Sequence, residues 1–130
     1  MKKFVLPLAA LSFLASVQSP AYSQESIRAD RILSAQQLRD HCSESEGTEA
    51  GRLSIGYCLG AITGIADASM TLNATLAGRQ TICLDSDDSA DKMRLSFLVF
   101  TEQQPETLDL PAATVVIAML QSYFGCGPTK

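Results

Sequence analysis

Four side chains in this sequence, Cys42, Cys58, Cys83 and Cys126, can bond covalently to one another, and His41 adjoins the first of them. A histidine beside a thiol raises the prospect of nucleophilic catalysis, with the imidazole taking the thiol proton. That chemistry needs a free thiol, whereas an even number of cysteines in a small exported chain reads as disulfides. A zinc centre is the rival reading, but no two cysteines stand at C-x-x-C spacing and His41 is the sole histidine. Two disulfides are therefore expected, in one of three pairings. Reach along antiparallel helices favours Cys42 with Cys126 and Cys58 with Cys83. No serine lies in a G-x-S-x-G elbow.

Carboxylates are the other reactive class. Asp85, Asp87 and Asp88, with Asp91 just beyond, form a dense acidic run. It lacks the remaining ligands of a calcium loop, so neither a metal nor a cofactor is assigned to it. Acids at this place also complement the positive end of a following helix. As a binding feature, these four aspartates would steer a basic partner. Asp67 lies among Ile65, Ala66 and Ala68 without a visible acid–base partner. No catalytic constellation emerges, and a binding protein rather than an enzyme is expected.

The elements that hold these groups follow from patterning. Lys2 and Lys3 precede an apolar stretch from Phe4 to Val17, and Ala21-Tyr22-Ser23 reads as a small-x-small cleavage site. Residues 1–23 are thus expected to be a signal peptide cleaved near Ser23, leaving a periplasmic domain over residues 24–130. No later segment reads as long and apolar enough to span a bilayer. All 14 acidic residues but only 8 of the 10 basic ones lie beyond Ser23, so the mature part carries a net charge of −6. Such a balance argues against nucleic acid or anionic lipid as partner.

Ser34 and Gln37 are placed as a capping box, with Leu33 and Leu38 as its hydrophobic staple, so a short helix should run to about Cys42. A second helix should begin near Thr48. Leu53, Tyr57, Ala61, Ile65, Ala68 and Leu72 recur at its apolar period and are the expected inner face. Gly56, Gly60 and Gly64 form a second stripe. Interior glycines weaken a helix, so close approach of another backbone is expected along them. Asn73 to Asp88 has no sustained period and reads as the longest loop. Ser89 should cap a third helix with Met93, Phe97 and Phe100 inside, closed by Pro105. A fourth should start around Asp109 to Pro111, with Ala112, Val115, Val116, Met119, Leu120 and Tyr123 inside and Gly125 at its end. The fold class is all-α: a small four-helix domain stapled by two disulfides.

The segment Cys58-Leu59-Gly60-Ala61-Ile62-Thr63-Gly64-Ile65-Ala66-Asp67-Ala68 resembles the C-x-G-aromatic-x-x-G-x-x-D-A helix of the type VI secretion amidase immunity proteins, the Tai/Rap family. Cys83-Leu84 is similar to that family's C-[IL]-P step, and Pro105, Ala112-Ala113 and Phe124 to Cys126 to its closing P…AA…F-x-C pattern. The likeness runs from Leu38 to Cys126. Ala61 stands where an aromatic is usual, and Asp85 and Gly125 stand where prolines are. The resemblance implies a periplasmic helical protein, often a homodimer, that neutralises a peptidoglycan amidase by occluding its active site. A housekeeping or envelope-stress protein with no toxin partner is the alternative, and a small-molecule carrier a third.

Overall fold

A computed structural model describes residues 32–77 and 80–127 of the chain. The expected signal peptide lies outside the described residues. Four α-helices form: α1 (Ala35–Cys42), α2 (Glu49–Leu72), α3 (Ala90–Gln103) and α4 (Ala112–Tyr123). Every pair of them is in contact. Among the described residues no strand forms, only two isolated bridges, and the all-α expectation holds.

Three of the four helices start where a side chain accepts from a free first-turn amide. Ser34 and Gln37 close the expected capping box: the Gln37 amide donates to Ser34 Oγ at 3.2 Å, and the Ser34 amide donates to Gln37 Oε1 at 3.0 Å. Thr48 accepts from the Gly51 amide at 3.0 Å, and Ser89 from the Lys92 amide at 3.1 Å. α4 has proline as its cap, where a missing amide costs nothing. Pro105, which has no amide to continue α3, starts a single 3-10 turn, Pro105–Thr107.

The core is built from Leu38 and Cys42 of α1, Cys58, Ile62 and Ala66 of α2, Met93, Phe97 and Phe100 of α3, and Val115, Val116, Met119 and Leu120 of α4. The inner faces expected of α3 and α4 are the observed ones, except that Tyr123 is half exposed.

α2 is rotated by about one residue from the expectation: Ala61 and Ile65 pack partly buried against the core, but they lie at the edge of the inner face rather than its centre. Leu53, Tyr57 and Leu72 are 70%, 51% and 54% exposed, while Gly51, Ile55, Cys58, Ile62, Ala66 and Ser69 face inward. Two apolar stripes run along this helix, and periodicity alone cannot rank them. Cys58 does: fully buried and bonded to Cys42, it centres the inner face on itself, with Ile55 three positions before it and Ile62 four after it. The glycine stripe is corrected with it. A Cβ added at Gly56, Gly60 or Gly64 would meet nothing within 4 Å, so no backbone among the described residues packs there. Gly51 is the close contact instead, since its Cβ would lie 1.8 Å from the Ser45 carbonyl oxygen.

The disulfides join Cys42 to Cys58 and Cys83 to Cys126, not the pairs favoured above. α1 and α2 fold back on one another through a turn of six residues, bringing the Cys42 and Cys58 Cα atoms to 5.2 Å. The tail after α4 returns to the segment before α3. There Cys83 N donates to the Phe124 carbonyl at 2.8 Å and Cys126 N to that of Thr81 at 3.2 Å. The α1–α2 turn sets the first pair, and the backbone pairing of the tail with the segment before α3 sets the second.

The helix does not stop at Leu72. A π-helical turn, Asn73–Ala77, prolongs it, shortening the expected loop. By length and composition alone, Glu49–Leu76 is then long and apolar enough to cross a membrane, contrary to the expectation. Its inner face is spent on the core and on the bond to α1.

Candidate partner-binding surfaces

The acidic run splits by role. The Asp88 carboxylate accepts from Lys92 Nζ at 2.6 Å and from the Asp85 amide at 2.8 Å, closing the turn before α3. Its side chain is 7% exposed, covered by its own turn. The Lys92 hydrogen bond, then that amide, lowers its pKa from the ordinary 3.8, and the same bond raises that of Lys92. Asp91 accepts from Arg94 Nε at 2.7 Å, and Arg94 Nη1 reaches the Cys42 carbonyl at 2.8 Å, tying α3 to the end of α1. Asp85 and Asp87 are exposed and have no cation partner among the described residues. Of the four aspartates singled out in sequence, Asp88 closes the turn, Asp91 pairs within α3, and Asp85 and Asp87 make no ion pair among the described residues.

Beside this turn lies a cavity of about 380 Å³, lined by Ser89, Asp91, Lys92, Leu95, Ser96 and Val99 of the α3 side and Tyr123 of α4. Sequence reading missed it. The signal was a second apolar step on α3, Leu95 and Val99, beside the core stripe.

A third feature pairs His41 Nδ1 with Ser54 Oγ at 2.7 Å, with the imidazole 4.7 Å from the Tyr57 ring. A histidine–serine pair is a nucleophile's first requirement. Ser54 sits inside α2, however, where the neighbouring amides are spent on the helix ladder and none is placed to stabilise an oxyanion. The pair ties α1 to α2. Among the described residues no three His, Cys, Asp or Glu side chains converge as a metal site.

The outer face of α2 presents Leu53, Tyr57 and Leu72 around the open glycine track, with Asp67 exposed among them. Leu76, 82% exposed, continues it.

Residues 34–126 match the family model of the Rap1a immunity proteins, from the cap of α1 to the second disulfide. The chain belongs to the Rap1a immunity protein family. No curated protein and no solved structure matches the chain. Family membership suggests a role in immunity to a type VI effector, and implies a toxin as binding partner. Proteins of this family are in general not enzymes. The two disulfides and the family together point to an exported protein.

Proposed function

We propose that this chain is a periplasmic immunity protein that binds a type VI secreted peptidoglycan amidase and inhibits it by occluding its active site. The family match over residues 34–126 carries this reading. Two disulfides are suited to an oxidising compartment, and the sequence of residues 1–23 supplies a route to it. The mature domain, residues 24–130, acts without a membrane span.

The turn from Cys83 to Ser89 is the contact surface in this reading. It is held by the Cys83–Cys126 bond and by the Asp88 hydrogen bonds, so little ordering entropy is lost when a partner docks. Asp85 and Asp87 then steer a basic surface toward it. The outer face of α2 serves a different purpose, pairing two copies of the chain. Exposed leucines flank glycines there, and a two-fold axis lets one apolar face cover its equal.

The experiment is recovery of the mature protein from its native periplasm with bound partners identified by mass spectrometry. A cell-wall amidase recovered in stoichiometric amount is the expected result. Purification alone, from cells in which an amidase effector is expressed, contradicts the reading and favours a housekeeping role. Reversing Asp85 and Asp87 to lysine should slow association about tenfold or more at low salt, with an unchanged melting temperature. An unchanged rate removes this turn from the contact.

A further inference from the structure

Leu95, Val99 and Tyr123 are 49%, 45% and 46% exposed beside Met93, Phe97 and Phe100, which are buried. On α3, positions 92, 95, 96 and 99 recur at three- and four-residue steps and share one side of the helix. Tyr123 of α4 makes the opposite wall. Its ring stands edge-on to Phe100, centroids 6.2 Å apart, and its hydroxyl lies 3.3 Å from Gln103 Oε1. The wall is therefore held in place before anything binds. From Ser89 to Val99 the groove runs about 15 Å, three helical turns, or four to five residues of extended peptide.

The two ends differ in chemistry. At the Ser89 end, the four aspartates Asp85, Asp87, Asp88 and Asp91 face two cations, Lys92 and Arg94, each already bonded to one of them. Two carboxylates remain in excess. Toward Val99 and Tyr123 no charged group lines the groove. Lys92 Nζ, tied to Asp88, also lies 5.7 Å from the centroid of the Phe124 ring, so it is engaged twice within the chain.

We propose that this groove receives a segment of a partner protein that carries a lysine or arginine at one end and a large apolar side chain three or four residues away. The cation meets the excess carboxylates of the turn, and the apolar side chain covers Leu95 and Val99 against the Tyr123 wall. Anionic lipid and nucleic acid are repelled by the acidic end. A second copy brings the same mature net charge of −6 and no matching excess of cations. This goes beyond the immunity reading, and only the identity of the partner rests on it.

The test titrates isotope-labelled mature protein with acetyl-Lys-Thr-Thr-Leu-Phe-amide, and separately with the same peptide carrying glutamate in place of lysine. Amide shifts should concentrate at Leu95, Ser96, Val99 and Tyr123. The glutamate peptide should bind about five- to tenfold more weakly. Val99→Glu, at a half-exposed position, should keep the native melting temperature and abolish the shifts. Shifts elsewhere, equal binding of both peptides, or undiminished binding to Val99→Glu overturns the proposal. So does movement of the groove signals on dilution without peptide, which would make a second copy the occupant. Binding of the lysine peptide where no amidase binds upholds the groove and removes the immunity reading. An amidase that binds Val99→Glu as tightly as the native chain does the reverse.

Discussion

Gly51 and Gly60 lie on the same helix and should respond in opposite ways to a single added methyl. At Gly60 the methyl enters open space, and alanine favours helix, so Gly60→Ala should stabilise the monomer by about 0.5–1 kcal/mol. At Gly51 it meets the Ser45 carbonyl, and the turn before α2 must shift, so Gly51→Ala should lower the melting temperature. Chemical denaturation of both at low protein concentration checks this, and a destabilised Gly60→Ala would restore the close packing once expected there. The Asp88–Lys92 pair has its own signature. A lowered carboxyl pKa means that its contribution to the turn is present above the ordinary value of 3.8 and is lost as pH falls through the depressed value. The raised Lys92 pKa means that its share survives to above 10.5 before deprotonation removes it. The Asp88 carboxyl carbon signal should therefore titrate below the ordinary 3.8, which an NMR pH titration checks. Capping residues such as Ser34, Gln37, Thr48 and Ser89 were legible in sequence because they act on amides two or three positions away. The Asp88 turn was not, since nothing in the order of four aspartates says which ones the backbone will use.

At the scale of elements, α2 decides the architecture, and its orientation is open to direct test. Ile62→Ala removes fully buried methyls from the core and should cost about 2–5 kcal/mol. Leu53→Ser, on a 70% exposed side chain, should change the stability of the monomer within about 0.5 kcal/mol at low protein concentration. Comparable losses for both would mean that the helix is turned as its periodicity first suggested. α3 and α4 were legible because their largest apolar residues, Met93, Phe97 and Phe100 on one and Val115, Val116, Met119 and Leu120 on the other, fall on a single helical face. α2 carries apolar or small residues on nearly all sides, so its hydrophobic period had two equally good phases. Only the cysteine could choose between them, and its partner lies on another helix. The groove between α3 and Tyr123 was hidden for a related reason: it exists only once two helices distant in sequence are brought side by side.

The whole molecule is a small core closed by two covalent clasps in unlike surroundings. Cys42 and Cys58 are fully buried, whereas Cys83 is exposed at the surface. A dithiol reductant should therefore open Cys83–Cys126 first, and alkylation followed by peptide mapping should find Cys83 and Cys126 labelled before Cys42 and Cys58. Loops of 16 and 43 residues correspond, by chain entropy, to about 3 and about 4 kcal/mol of stability. The four-helix plan and the family were readable because helix caps and motif order agree over residues 34–126. The pairing of the cysteines was not, because it depends on where the chain turns back. We propose that this domain silences a peptidoglycan-cleaving effector by covering its active site. The most direct measurement is hydrolysis of purified cell-wall sacculi by the amidase recovered with the protein, as mature protein is added. Inhibition should rise linearly and reach completion at one domain per enzyme, and it should be lost in step with binding when Asp85 and Asp87 are reversed. Full hydrolysis in the presence of a several-fold excess of native protein would contradict it.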